Sequence, residues 1–233
     1  KLLERNYIDS LTCELAIEEP LPGEPKPLPR LAPHLTAYFF LTNRGATVRT
    51  TIDPALQEKV LEITAAHQRL LSGNFINNTA CLVLRVETGE VLAYAGNGAF
   101  GGDTEQDGDV DIIRARRSTG SILKPFLYAA MQNSGDLLPN TLIADIPTRF
   151  PGFSPKNFDF SYSGAVPASK ALSQSLNIPA VKMLQTYTAE KFLGLLHKVG
   201  FSGFKNDAGH YGLSLILGGG EASLWELTGA YAS

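Results

Sequence analysis

Arg117-Ser118-Thr119-Gly120-Ser121-Ile122-Leu123-Lys124-Pro125-Phe126 is the stretch on which the reading of this chain turns. A helix is predicted from about Ser121 to Asn133, with Leu123, Phe126, Leu127 and Ala130 as its apolar stripe. Ser121 and Lys124 are three residues apart at its start, so they project from one face as neighbours across one turn. A serine hydroxyl is a poor nucleophile until its proton is taken, and a nearby neutral amine can take it. The ordinary lysine pKa is about 10.4, so desolvation or a neighbouring cation must lower it first. A helix N-terminus adds backbone N–H groups close to a developing oxyanion. Pro125 suits the first turn, where its missing N–H has no partner to lose, and Gly120 lets the chain turn sharply before the serine.

S-x-x-K alone is a weak signal, because that spacing arises by chance in many helices. A second element strengthens it. Ser173-Gln174-Ser175-Leu176-Asn177-Ile178-Pro179-Ala180-Val181 holds Ser175-x-Asn177 between helices predicted near 168–175 and 179–186. Ile178 precedes a proline, which disfavours helical backbone, so Ser175 to Asn177 are expected on the interhelical turn. Such a turn can present a hydroxyl and an amide together into a cleft.

Working outward, residues 1–47 are expected to form a connector. A short helical start (Leu2, Leu3, Tyr7, Ile8) runs into Pro20, Pro22, Pro25, Pro27, Pro29 and Pro33, and proline density of that kind favours extended or irregular chain. The main domain is expected over 48–233. Val48–Ile52 reads as a strand, and Asp53-Pro54 as the N-cap and first position of a helix carrying Leu56, Val60, Ile63 and Leu70. Residues 80–86 and 91–95 read as a hairpin closed by Glu87-Thr88-Gly89-Glu90. After a loop-rich region 134–166 and the two helices above, another is predicted at 189–199, stopped by Gly200. Strand, helix and hairpin followed by many helices make the fold class α+β.

Composition narrows the function. The 233 residues carry 20 Lys+Arg against 23 Asp+Glu, which argues against a nucleic-acid binder with its basic surplus gathered in a patch. No run approaches the ~18 apolar residues of a membrane span. Two cysteines, Cys13 and Cys81, make neither a disulfide framework nor a four-ligand zinc site. Cys81 reads as a small core residue. Neither a cofactor nor a metal is expected.

Two further motifs are declined. Gly96-Asn97-Gly98-Ala99-Phe100-Gly101 spells G-x-G-x-x-G after a strand, yet acidic residues without apolar periodicity follow where a dinucleotide site needs a helix. The acidic loop 103–111 mimics a calcium loop in part, but the closing position that needs a bidentate Glu is Arg114.

The blocks taken together resemble the penicillin-binding transpeptidases, specifically the class A bifunctional murein synthases, most like the 1C type. Arg117–Phe126 resembles the family's R-x-x-G-S-x-x-K-P-F, and Ser175–Val181 its S-L-N-x-P-A-V. Gly218–Glu221 with Leu227 and Tyr231 resembles L-G-x-x-E…L-x-x-A-Y, and Thr51–Gln57 resembles T-I-D-x-x-L-Q. The resemblance implies an antiparallel sheet flanked by helices. It also implies a D,D-transpeptidase that joins peptidoglycan stem peptides and is acylated by β-lactams. Ser121 would be the nucleophile, Lys124 its base, Ser175 the proton relay to the leaving D-alanine and Asn177 the binder of the donor peptide. The alternatives are a D,D-carboxypeptidase or β-lactamase-like hydrolase, or a non-catalytic penicillin-binding sensor. Partners would be stem peptides and β-lactams, with no nucleic acid, and a membrane only through an anchor absent from this chain. The place would be the periplasmic face of the bacterial inner membrane. The family's third motif, K-T/S-G, does not occur in the sequence. The domain is therefore expected to be C-terminally incomplete, and this chain alone inactive.

Overall fold

A computed structural model of the chain describes residues 1–20, 30–98, 107–150 and 152–233. They fall into two compact units, Lys1–Arg30 and Leu31–Ser233. In the first, helix α1 (Ser10–Glu18) starts where the Asp9 carboxylate accepts from the Thr12 N–H at 2.7 Å, an N-cap interaction. The helical start expected from Leu2 to Ile8 is instead a run of turns, because the cap that fixes the helix lies at Asp9. Of the proline-dense stretch, Pro22, Pro25, Pro27 and Pro29 lie outside the described residues.

The second unit begins at Leu31, inside the segment expected to be a connector. Pro33 opens α2 (Pro33–Thr42), and Leu35 of that helix packs with Tyr94 and Ile113. Helix α3 (Pro54–Ser72) begins as its sequence predicts, with Asp53 capping the Leu56 N–H at 2.9 Å. Its buried residues are Gln57, Val60 and Thr64, whereas Ile63 and Leu70, expected on the apolar face, are exposed. Strands β1 (Cys81–Leu84) and β2 (Val91–Ala95) form the antiparallel hairpin, with Gly89 at φ +70° in its connection. Alternation sends Ala93 and Ala95 to Val60 of α3, and Tyr94 to the opposite cluster with Leu35.

Gln57 explains why Val48–Ile52 is not the strand that its composition predicts. Its side chain, fully buried, donates to the Tyr94 carbonyl at 3.0 Å and accepts from the Tyr94 N–H at 2.7 Å. One side-chain amide thus takes the bonds a neighbouring strand would make at that residue. Segment 48–52 runs beside β2 and is tied to it by the Thr51 hydroxyl on Val91 O and by the Asp53 N–H on Leu92 O.

The remaining elements build the larger core. They are β3 (Arg117–Ser118), α4 (Lys124–Asn133), β4 (Leu142–Asp145), β5 (Gly164–Pro167), α5 (Ala168–Ser173), α6 (Asn177–Tyr187), α7 (Ala189–Lys198) and α8 (Ala208–Tyr211). A 3-10 turn at Gly212–Leu217, β6 (Glu221–Ala222) and α9 (Leu224–Ala232) follow. Strand β4 pairs with β5 and β3 with β6, each antiparallel. Leu123, Leu127, Leu184, Phe192, Leu196 and Leu215 are fully buried at the centre, each worth about 1.5–3 kcal/mol by burial. The fold is α+β, as read from the sequence.

The two declined motifs have packing roles instead. A Cβ on Gly96 would lie 2.5 Å from His34, and one on Gly98 would meet the Gln68 side chain. Both glycines therefore serve close packing. Gly101 and acidic-loop residues 103–106 lie outside the described residues. Arg114, at the position that denies a calcium loop, has its guanidinium 3.8 Å from the Tyr38 ring centre and 4.6 Å from that of Trp225. This cation–π stack ties α2 to α9.

Candidate active site

Ser121 is delivered by a turn that the C-terminal part of the chain holds in place. Ser118 pairs with Glu221 in the β3–β6 ladder. The Ser118 hydroxyl donates to Gly218 O at 2.8 Å and the Thr119 N–H to Gly220 O at 3.2 Å. Gly120 then takes φ +52°, a backbone that favours glycine. Two tight turns follow, with Ile122 N–H on Thr119 O and Lys124 N–H on Ser121 O, both at 3.1 Å. Helix α4 therefore starts at Lys124, and Ser121 sits one turn ahead of it rather than inside it as expected. The Tyr231 hydroxyl fastens this turn by donating to Ile122 O at 2.8 Å, and its ring meets Phe126 edge-on at 4.7 Å. Ser121 is exposed, and neither its hydroxyl nor its N–H is bonded among the described residues.

Lys124 is the contrast. It is 2% exposed and forms no ion pair among the described residues. Its Nζ donates to the Ser175 carbonyl at 2.7 Å, the Ser175 hydroxyl at 3.2 Å and Asn177 Oδ1 at 2.7 Å. Three acceptors satisfy an ammonium, but loss of solvent still pulls its pKa down to about 8. Desolvation alone, without a neighbouring cation, thus brings the amine within reach of its neutral form slightly above neutral pH.

Ser175 reaches Lys124 twice because of how α5 ends. Ser175 N–H bonds Leu172 O at 2.8 Å and Leu176 N–H bonds Ala171 O at 2.9 Å, the pair of bonds that defines a Schellman ending. The residue at its left-handed position is usually glycine; here it is Ser175, at φ +54°. That conformation turns both oxygens of Ser175 toward one amine. Asn177, expected on the turn, instead opens α6. Pro179 is tolerated there because the N–H it lacks belongs to the unbonded first turn. The Asn177 Nδ2 donates to Lys156 O at 2.8 Å, leaving Oδ1 for Lys124.

The structure thus gathers Lys124, Ser175 and Asn177 into one bonded cluster, with Ser121 one turn before Lys124. Among the described residues no group of three or more His, Cys, Asp or Glu side chains gathers as a metal site would. A cavity of 480 Å³ lined by Leu31, Leu35, Phe39, Phe40, Val48 and Ile52 shares no residue with the cluster. Sequence reasoning misses Asn157, for which a lone asparagine in a loop gives no periodic or spacing signal.

The model of the penicillin binding protein transpeptidase domain matches residues 79–214, a span that includes all four of these residues. The chain belongs to that family. It is 31% identical to penicillin-binding protein 1C of Escherichia coli (strain K12) over all of its own length and 30% of that protein's. It is 30% identical to penicillin-binding protein 1B of Vibrio cholerae, over 69% of this chain and 21% of that protein. The chain therefore spans under a third of the length of these relatives. The solved structure of PonA1 from Mycobacterium tuberculosis in complex with penicillin V superposes with a TM-score of 0.64 at 22% identity, over 87% of this chain and 56% of that one. Penicillin-binding protein 1A from Haemophilus influenzae superposes at 0.56 with 27% identity, over 66% of this chain and 23% of that one.

Proposed function

We propose that this penicillin-binding domain is a D,D-transpeptidase acting through a serine acyl-enzyme. The observation that carries the reading is the buried Lys124 amine, depressed to about 8 and held by both Ser175 and Asn177, one turn after an exposed and unbonded Ser121.

Ser121 Oγ attacks the carbonyl carbon between the two terminal D-alanines of a stem peptide, and neutral Lys124 takes the hydroxyl proton. The Ser121 N–H, with no partner of its own among the described residues, donates to the developing oxyanion. As the C–N bond breaks, the departing D-alanine nitrogen receives a proton through Ser175. The Ser175 hydroxyl alone among the Lys124 partners can both accept from that amine and donate onward. The amine of a second stem peptide then attacks the ester carbonyl, gives up a proton to Lys124, and forms the cross-link as the C–O bond breaks and Lys124 returns that proton to Ser121 Oγ. Asn177 orients the donor peptide by its amide. β-Lactams acylate the same serine, and the reaction takes place at the periplasmic face of the inner membrane. Within the described residues no helix is long and apolar enough to cross a membrane, and membrane attachment is assigned to sequence other than these residues.

The test is covalent mapping. The full-length protein is incubated with fluorescent penicillin, digested, and the labelled peptide sequenced by mass spectrometry. The adduct is expected on Ser121; an adduct on Ser175 or any other residue, or none, overturns the reading.

A further inference from the structure

The loop joining β4 to β5 enters the site through one buried side chain, Asn157, which is 3% exposed. Its Oδ1 accepts from the backbone N–H of Asn177 at 2.9 Å and of Ile178 at 3.3 Å. Its Nδ2 donates to Asp145 Oδ1 at 2.8 Å and to Ser161 O at 2.9 Å. The oxygen faces two donors and the nitrogen two acceptors, so the partners themselves fix the amide's orientation.

The two N–H groups are the first of α6, and a helix start leaves such groups unbonded unless a side chain reaches them. The residue that ordinarily supplies that oxygen is the N-cap, which here is Leu176, with no side-chain acceptor. Asn157 caps the helix from a loop twenty residues earlier in sequence. The neighbouring Lys156 carbonyl takes the Asn177 Nδ2. Asn177 is thus gripped at its backbone by one loop residue and at its amide nitrogen by the residue before it, and Oδ1 is left to accept from Lys124. Asp145, fully buried, braces the loop by accepting from Asn157 and from the Ser163 N–H at 2.9 Å.

We infer that Asn157 is a positioning residue: by capping α6 from the β4–β5 loop it fixes the Asn177 amide that holds the Lys124 amine. This deepens the proposed function and rests on it. Without Asn157 the two N–H groups are orphaned, Asn177 is free to swing away, and the Lys124 amine loses an acceptor as water enters. The groups facing Lys124 Nζ are then Ser175 alone and solvent: the lost acceptor disfavours the ammonium, entering water favours it, and the proton affinity of the amine is no longer the parental one.

Three variants of the full-length protein test this: Asn157→Ala, Asn157→Asp, and the exchange Asp145→Asn with Asn157→Asp. The aspartate at 157 alone sets two carboxylates against each other at hydrogen-bond distance. The exchange restores one acid and one amide: the new amide at position 145 donates to the new carboxylate at position 157, which still accepts both N–H groups. Two readouts are taken on protein shown to be folded by circular dichroism: fluorescent-penicillin acylation rate at pH 8, and Lys124 titration by pH-dependent acetylation and mass mapping. Misplacement of reacting groups by about 1 Å costs on the order of 10²-fold, so both single variants should acylate roughly that much more slowly. In Asn157→Ala the Lys124 midpoint should move from its parental value, and the exchange should recover part of the rate lost by Asn157→Asp, the Asn157 bond to Ser161 O being the one it cannot restore. Folded Asn157→Ala with parental acylation and an unmoved Lys124 midpoint overturns the inference, as does an exchange variant no faster than Asn157→Asp. A parent that penicillin does not label sinks the proposed function instead; the Lys124 titration, which needs no turnover, still decides the role of Asn157.

Discussion

Ser175 meets the Lys124 amine with two oxygens, its carbonyl at 2.7 Å and its hydroxyl at 3.2 Å. The carbonyl can only accept, so it anchors the amine in either charge state that keeps an N–H. The hydroxyl accepts from the ammonium and donates to the neutral amine. A change of protonation at Lys124 therefore reverses one hydrogen bond without moving a heavy atom.

The rate of penicillin acylation should rise with pH through a midpoint near 8, since Lys124 is a base only after losing its proton, and desolvation sets that value. Lys124→Arg stays charged and should be slower by about 10²–10⁴-fold across the range. Stopped-flow acylation between pH 6 and 10 checks this. A flat profile, or an arginine variant at the parental rate, removes Lys124 as the base.

The same group makes stability depend on pH, and the sign follows from proton counts. The folded chain releases the Lys124 proton near 8, while the unfolded chain keeps it to its ordinary value of 10.5. Between those values the unfolded state binds more protons, so stability rises with pH, and below 8 the full cost of a buried ammonium remains. Lys124→Met, of similar volume and no charge, should lose that slope. Urea unfolding of parent and variant at pH 7 and 9.5 measures the difference; parallel behaviour would contradict it.

Ser175→Gly should make the protein more stable and less active at once. Glycine adopts the left-handed position at the end of α5 without the Cβ conflict, which is worth about 1–2 kcal/mol per residue, and the Schellman bonds do not involve the lost side chain. The hydroxyl proposed above to pass the proton from Lys124 to the leaving group is gone, so turnover of a stem-peptide substrate should fall about 10²-fold or more. Thermal unfolding and cross-linking assays on one preparation read both effects. A destabilised glycine variant would mean that φ +54° at Ser175 costs nothing.

Gly218→Ala should disable the site from a distance in sequence. Its φ is +96°, and an added Cβ would stand 2.5 Å from Ser118 Oγ and 2.6 Å from the Gly120 nitrogen, pressing on backbone that cannot yield cheaply. Displacing the Ser121 turn by about 1 Å should slow acylation on the order of 10²-fold. Labelling by fluorescent penicillin, compared with Gly194→Ala, where a Cβ meets open space, separates this from a general effect of alanine.

How much of this can be read from sequence depends on range. Ser121 and Lys124 are three residues apart, and their placement one turn from each other follows from local geometry; Asp53-Pro54 and the Gly89 hairpin are legible for the same reason. The ends of elements are less so. Lys124 rather than Ser121 opens α4 because Gly120 and the tight turns at Thr119–Lys124 take up one turn before the helix begins. Val48–Ile52 has a strand's composition, yet Gln57 already occupies Tyr94, which no propensity reveals. Strands β4 and β5 read as loop, being four residues each and bounded by Gly164 and Pro167. Ser175 in a glycine's conformation and Asn157 capping a distant helix are both tertiary facts. Each breaks a local preference, Ser175 at a direct partner of Lys124 and Asn157 at the backbone of another.

The Ser121 turn is fastened by Gly218, Gly220 and Tyr231, partners 100 to 109 residues further along the chain. Contacts of such long separation close late, because the entropy of a large loop must be overcome before they form. A growing polypeptide that has passed residue 121 by several helices thus still carries an ordinary serine there. The order of events during synthesis therefore matters at Ser121: its turn is fully fastened only once α9 has brought Tyr231 onto Ile122.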